Sequence, residues 1–373
     1  MTTPAGKSLP GDTWDGPDGL RRMREDWDRR AQENAEHFVY TRDSQSDLEN
    51  FELSGQANYD QLVRPYLPIL LRGRAPGSCR VAEIGCGIGR MTRCFADNFA
   101  ETHALDISPL MIEQARQRLA GRANVHFHVT AGDSLAPLPD AAFDLAFSYI
   151  VFQHVPSKGV IESYVREAAR VLAPGGAFKF QLNGSQFSSS ATHSPDSWVG
   201  AVFSLEEASS LLSRNGFSLL AAEGIGTQYF ILTALKGPPA SEPDERSYIL
   251  AGEDWAARQL IEGFADPVNQ SWRPIASHSC ARLRVPALGQ KIFFAGIYFW
   301  PEASWQPRRL RFTIGGEPLG DLVIAQPGDH YTERPVPHLK PRTLAAVEIE
   351  IDPPCEKDPA FRAMGIFAAR KAE

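Results

Sequence analysis

Apolar positions change their spacing several times along this chain, and each spacing predicts a different element. Leu20, Met23, Trp27, Ala31, Ala35 and Phe38 recur at three- and four-residue steps, the period of an amphipathic helix packed along one face. A second helix is expected from Ala57 to Leu71, started or kinked at Pro65 or Pro68, because proline removes an amide donor and clashes with the preceding turn. Short apolar runs follow at Val81 to Ile84, His103 to Asp106, Val125 to Val129, Phe143 to Tyr149 and Ala177 to Leu182. Helical stretches lie between them: one opens at Pro109, another ends at Arg170-Val171-Leu172-Ala173-Pro174-Gly175-Gly176. Strands alternating with helices predict an α/β domain with a largely parallel, doubly wound sheet. Ser204-Leu205-Glu206-Glu207 has the form of a capping box, and Arg214-Asn215-Gly216-Phe217 that of the matching helix end. Phe217 to Glu223 and Gln228 to Leu235, joined by Gly224-Ile225-Gly226, read as a closing hairpin.

Beyond Lys236 the period changes. Gly237 to Glu245 is proline-rich and polar, the composition of a linker. Arg282, Arg284, Arg311, Thr313, Glu348 and Glu350 then alternate with Ala281, Leu283, Val285, Leu310, Phe312, Ile314, Val347, Ile349 and Ile351. Period-two alternation in several short runs predicts antiparallel strands with one wet and one dry face, arranged as an all-β sandwich. The expected division is a tail and helical cover at 1–74, the α/β domain at 75–236, a linker at 237–250 and the sandwich at 251–373.

Charge and cysteine usage narrow the function. The formal net charge is −7, against the basic surface that phosphate neutralisation requires, so no nucleic-acid partner is expected. Arg21-Arg22-Met23-Arg24 and Arg29-Arg30 are interleaved with Glu25, Asp26 and Asp28, which reads as a solvated helix face with no partner. No apolar run approaches the roughly 20 residues needed to span a bilayer, and Met1 to Gly19 lacks the order of a secretory signal. Five scattered cysteines without a C-x-x-C pair fit free thiols in a reducing compartment, so the cytoplasm is expected.

The candidate chemistry sits where the first strand ends. Val81-Ala82-Glu83-Ile84-Gly85-Cys86-Gly87-Ile88-Gly89-Arg90 runs from an apolar strand through an acid into three alternate glycines, which permit a tight turn and close approach of backbone to a ligand. A dinucleotide loop needs its third glycine one residue later, which argues against an NAD-linked oxidoreductase. The E-x-G-x-G-x-G form resembles the first motif of class I S-adenosylmethionine (SAM)-dependent methyltransferases, and His103-Ala104-Leu105-Asp106-Ile107-Ser108, Ala131-Gly132-Asp133-Ser134, Phe143 to Tyr149 and Arg170 to Gly176 resemble their later motifs in order. The resemblance covers about residues 75 to 236 and implies a seven-stranded sheet, an N-terminal helical cover and SAM as cofactor. It implies cofactor contacts at Glu83, Gly85, Cys86, Gly87, Gly89, Asp106, Ile107, Asp133, Ser134 and Ser148, with Asp106 accepting from both ribose hydroxyls and Asp133 from the adenine amine. The bare alternatives are a tight turn for the glycines and an N-cap for Asp106 or Ser108.

Methyl transfer from a sulfonium needs a held nucleophile and excluded water, and a proton acceptor only for a hydroxyl. His154, just past the fourth strand, is the candidate base; the alternative is a packing histidine. Gln153 and Tyr149 border the same region, Arg90 is a candidate for the cofactor carboxylate, and Trp27, Phe38 and Tyr40 are candidates for a lid. Asn183 to Ser197 reads as a substrate loop. His126 and His128 share one strand face, but with no further ligand nearby in sequence no metal is assigned. Gly263-Phe264 to Trp272-Arg273, with Phe361-Arg362-Ala363-Met364-Gly365-Ile366, resembles sandwich domains of bacterial glycan-assembly proteins. Trp272, Trp300 and Trp305 are candidates to stack on sugar rings, the alternative being core or edge packing, and the acceptor is expected to be a small molecule or glycan, methylated at oxygen. The alternative is a catalytically silent SAM-binding or glycan-binding scaffold.

Overall fold

The computed structural model describes residues 14–40, 48–185, 197–237, 248–250, 259–264, 273–285, 289–335, 339, 343–355, 357–361 and 363–368. The apolar stripe forms helix α1 (Gly16–Val39), which buries Met23, Ala31 and Ala35 and is kinked at Asn34. Its acidic and basic residues are not all solvated: Arg30 is buried and donates to Ser197 Oγ at 3.0 Å, and buried Asp26 accepts from Ser197 N at 2.8 Å. The expected solvated face is corrected there, because a buried charge is stable only with partners. The second helix also differs from expectation. It is α2 (Leu48–Leu62), followed by a 3-10 turn at Arg64–Tyr66 and a short α3 (Leu67–Leu70). Pro65 and Pro68 each begin a new turn rather than kinking one helix.

A seven-stranded sheet follows, built from β1 (Arg80–Ile84), β2 (Glu101–Asp106), β3 (Val125–Val129), β4 (Phe143–Ser148), β5 (Leu172–Leu182), β6 (Phe217–Glu223) and β7 (Phe230–Lys236). Its order is β3-β2-β1-β4-β5-β7-β6, with β7 antiparallel to both neighbours. The connecting helices are α4 (Thr92–Asn98), α5 (Pro109–Arg118), α6 (Lys158–Val171) and α7 (Leu205–Arg214). Local chemistry sets their starts: Ser108 caps α5, Ser157 caps α6, and Ser204 with Glu207 makes the full capping box of α7. Strand β5 begins at Leu172, five residues before the expected Ala177, and its pairing with β4 slips between Leu172 and Ala177. Pro174, Gly175 and Gly176 are thus accommodated as an irregularity inside a strand.

Two apolar cores cover the two faces of this sheet. One joins Phe143, Phe178 and Phe180 to Ile161, Val165 and Leu211; the other joins Val81, Phe95 and Phe147 to Tyr59, Tyr66 and Ile69. The chain leaves β3 at one edge and re-enters at β4 beside β1, so the carboxyl ends of β1 and β4 flank a switch point, where ligands bind in open α/β sheets.

The later strands are β8 (Tyr248–Leu250), β9 (Leu260–Phe264), β10 (Arg273–Arg284), β11 (Gly289–Phe299), β12 (Arg308–Ile314), β13 (Glu317–Ile324), β14 (Gly328–Pro335), β15 (Leu344–Asp352), β16 (Ala360–Phe361) and β17 (Ala363–Ala368). Their pairings are antiparallel, and β10 bonds to β15, β9 and β16. The expected dry positions Ala281, Leu283, Leu310, Phe312, Ile314, Val347, Ile349 and Ile351 are buried in a third core. Tyr331 of β14 packs against the core containing Tyr66. Most of the expected linker and substrate loop, and Trp272, lie outside the described residues.

Candidate active site

A cavity opens at the switch point, its water-accessible core about 90 Å³. Glu83 to Gly87, Leu105 to Ile107 and Phe147 to Val151, apart from Ser148, line it from three strand ends, and Met23, Trp27, Phe38 and Val39 close it from α1. The glycine loop is pinned to β2 by two backbone bonds, Gly85 N and Cys86 N both donating to Leu105 O at 2.7 and 2.9 Å. Gly85 has φ 74° and Gly87 φ 53°. An added Cβ would stand 2.4 Å from Val151 Cγ2 at the first and 2.8 Å from Val39 Cγ2 at the second. Both the left-handed backbone and the close packing therefore require glycine.

Asp106 is 9% exposed, with Oδ2 accepting from Gly87 N and Oδ1 from Ser108 N, both at 2.9 Å. Burial pushes its carboxyl up to about 6 against the lowering effect of these amides. Glu83, 5% exposed, accepts from Thr92 Oγ1 at 2.5 Å, and burial pushes it up to about 8. Arg90 lines the same cavity, with Nη1 donating to Asn58 Oδ1 at 2.6 Å, while its buried Nε has no hydrogen-bond partner among the described residues. Tyr149 also lines it, its phenol pushed up to about 12 by burial, so it is a donor at neutral pH.

The other expected site residues stand back from the lining. Gly89, at φ 88°, packs where a Cβ would meet Leu119 Cδ1 at 2.9 Å, behind the loop. Ser148 Oγ donates to Ile84 O at 3.1 Å, supporting the strand end. Ser134 Oγ donates to Glu167 Oε2 at 3.2 Å and accepts from Ala136 N, while Thr130 and Gly132, beside Asp133, line the cavity instead. His154 is 5% exposed and outside the lining. Its Nδ1 lies 2.6 Å from Trp198 O, its Nε2 3.0 Å from Gln153 Nε2, and its ring packs against Trp27 and Trp198. Of the candidate lid residues Trp27 and Phe38 reach the cavity, and Tyr40 stacks on the Arg90 guanidinium at 5.4 Å.

Sequence reasoning missed Met111, Thr130, Val155 and Tyr164 in the wall, apolar or hydroxyl residues with no motif to mark them. It also missed Ile150, which lines the cavity at φ 58° with its N–H donated to Gln181 Oε1 at 2.9 Å. A β-branched residue in the left-handed region is strained. In the later strands Trp305 packs on Phe299 and donates to Ala325 O, and Lys357 Nζ lies 3.8 Å over Trp300. No helix among the described residues is long and apolar enough to cross a membrane.

Residues 82–180 match the family described as methyltransferase domain. The chain is 36% identical over 96 residues to demethylmenaquinone methyltransferase of Tropheryma whipplei (strain Twist), covering 26% of this chain and 38% of that protein. It is 38% identical over 127 residues to malonyl-[acyl-carrier protein] O-methyltransferase of Pseudescherichia vulneris, covering 33% and 47%. The chain thus spans less than half the length of these relatives. Magnesium protoporphyrin IX methyltransferase from Synechocystis PCC 6803 with bound SAM is 19% identical with a TM-score of 0.44, covering 62% of this chain and all of that one. Residues 82–180 therefore form a domain similar to known methyltransferase domains.

Proposed function

We propose that this protein is a SAM-dependent methyltransferase that transfers a methyl group to oxygen of a small molecule. The observation that carries the reading is Asp106: a buried carboxylate, oriented by two backbone amides and lining the cavity at the switch point beside the glycine turn. A carboxylate offers about four lone-pair sites, so two amides leave acceptors for a pair of ribose hydroxyls. The residues fit the cofactor in two further respects. A Cβ would fill the cradle at Gly85 and Gly87, and the buried Arg90 Nε is a donor without an acceptor among the described residues.

SAM supplies a methyl on a sulfonium, already bearing a good leaving group. The protein's residues then have to bind, orient and exclude water. Glu83 and Arg90, both in the wall, would take the amino and carboxylate ends of the methionine part. An arriving ammonium would draw the Glu83 proton off, since opposite charge favours the ionised form. Ile107, Thr130 and Gly132 would flank the adenine, with Asp133 at its amine, Ser134 holding that turn, and Cys86 contributing backbone. Gly89 and Ser148 would support the loop through Leu119 and Ile84. Trp27, Phe38, Val151 and Val155 leave an apolar wall for the acceptor, which favours a compact apolar body over a sugar. His154 would act as a positioning residue behind Val155. The later strands would form a sandwich appended to the 75–236 domain, and the five free thiols support a reducing, cytoplasmic setting.

Calorimetric titration with SAM, S-adenosylhomocysteine and NAD tests this reading. Saturable binding of the first two without NAD is expected. Preference for NAD, or no binding of either adenosyl ligand, would overturn it.

A further inference from the structure

At the far end of the same strands, the sheet assembles a second cluster that the cofactor site does not use. Pairing of β1, β2 and β3 sets Arg80 beside Glu101, His103 beside His126 and Leu105 beside His128, all on one face. One ligand atom from each of Glu101, His103 and His126 lies within 4.8 Å of the others. Glu101 and His103 lie five and three residues before Asp106 on β2, roughly 16 and 10 Å at strand rise, and neither they nor His126 lines the cavity. His126 and His128 alone suggest nothing, because their partners come from a strand more than twenty residues earlier; only strand register brings the donors together.

We propose that Glu101, His103 and His126 bind a divalent transition-metal ion of the zinc class, with His128 as an orienting residue. Two imidazoles and one carboxylate are a donor set that zinc accepts, with a fourth position for water. At metal–ligand distances of about 2.1 Å, tetrahedral donors stand roughly 3.4 Å apart. His103 Nε2 and Glu101 Oε2 already lie at 3.5 Å. His126 sits on the exposed edge strand, where a small side-chain rotation can bring its ring in. The other ring nitrogen, His103 Nδ1, is 3.1 Å from His128 Nε2. With Nε2 given to the metal, Nδ1–H donates to His128, the outer-shell bond that fixes a ligating imidazole. Phe143 packs edge-on against His103 at 4.9 Å and holds the ring in place.

Arg80 is the competitor. Its Nη2 and Nε bind Glu101 Oε2 at 2.5 and 2.8 Å, so the ion must share the carboxylate through its remaining lone pairs. The bound ion would tie edge strand β3 to β2, and β3 leads directly into Thr130 and Gly132 of the cofactor cavity.

The test is zinc titration of the full-length, chelator-stripped protein by calorimetry, with cobalt(II) absorption as a second readout of the ligand field. One equivalent should bind at micromolar affinity or tighter and raise the melting temperature. His126→Ala, exposed and therefore safe for folding, and His103→Ala should each weaken binding at least tenfold and abolish the cobalt bands. His128→Ala should weaken it by roughly 10- to 100-fold, as outer-shell losses do, and Arg80→Gln should tighten it. SAM affinity of metal-free His126→Ala should match that of the metal-free parent. Absence of saturable zinc binding overturns the site, and so does zinc affinity unchanged in His126→Ala, which would assign the ion elsewhere, such as to Cys280 or Cys355.

Discussion

Replacing Asp106 with asparagine separates the cost of a buried charge from its use. Burial lifts the carboxyl from the ordinary 3.8 to about 6, so keeping it ionised at pH 7 costs the fold on the order of 3 kcal/mol. Asparagine removes that cost but turns an amide donor toward Gly87 N or Ser108 N, leaving one buried N–H unpaired at about 1–3 kcal/mol. The two terms oppose, so folding stability should change by no more than about 2 kcal/mol. Cofactor affinity has no such compensation. Losing one charge-assisted acceptor and weakening the other should cost about 3 kcal/mol, roughly a hundredfold in Kd.

The pH dependences then run in opposite directions. The folded value of about 6 lies above the unfolded value of about 3.9, so the native state holds this proton more tightly. Parent stability relative to Asp106→Asn should therefore be lowest above pH 6 and grow as pH falls from 6 to 4. SAM affinity needs the ionised acceptor, so below pH 6 the parent should lose about tenfold per pH unit beyond whatever the variant loses through Glu83, which titrates in both proteins. Calorimetry with S-adenosylhomocysteine from pH 5 to 7.5, paired with urea unfolding of both proteins, reads both effects. A variant that binds within about fivefold of the parent, under 1 kcal/mol, would refute Asp106 as the ribose acceptor.

Gly85→Ala should lose about 1–3 kcal/mol from backbone strain and push Val151 into the cavity, weakening SAM binding; Gly121→Ala, at φ 86° with open space around it, should show the strain alone in a thermal melt. Lys179 is 1% exposed, pairs with Glu223 Oε2 at 3.0 Å and donates to Thr233 Oγ1 at 2.9 Å. Lys179→Met should cost about 3–5 kcal/mol by urea unfolding, and adding Glu223→Gln should recover part of it. His154→Asn should lower the melting temperature with SAM affinity kept, and the pH profile of turnover should keep its shape; loss of an acidic limb near neutrality would restore His154 as the base.

Much of this architecture was legible in one dimension because its causes are local. Strand period, capping serines and the turn chemistry at Gly85 and Gly87 depend on nearest neighbours, so the α/β order, the capping box at Ser204 and the glycine loop read directly from the chain. The dry face of Leu310, Phe312 and Ile314 was legible for the same reason, since alternation fixes a strand's faces whatever packs on them. What lay beyond reach depends on packing between distant segments. Arg30 looked solvated until Ser197 met it, and nothing near His154 in sequence announces Trp27 and Trp198 as its ring neighbours. Likewise Thr130, Met111 and Tyr164 enter the cavity wall only because strands far apart in sequence end at one switch point. Strand register gave His126 its neighbours Glu101 and His103. Sequence determines which groups are present and which local turns they favour; burial and juxtaposition, which set their ionisation and their partners, come from the tertiary fold alone.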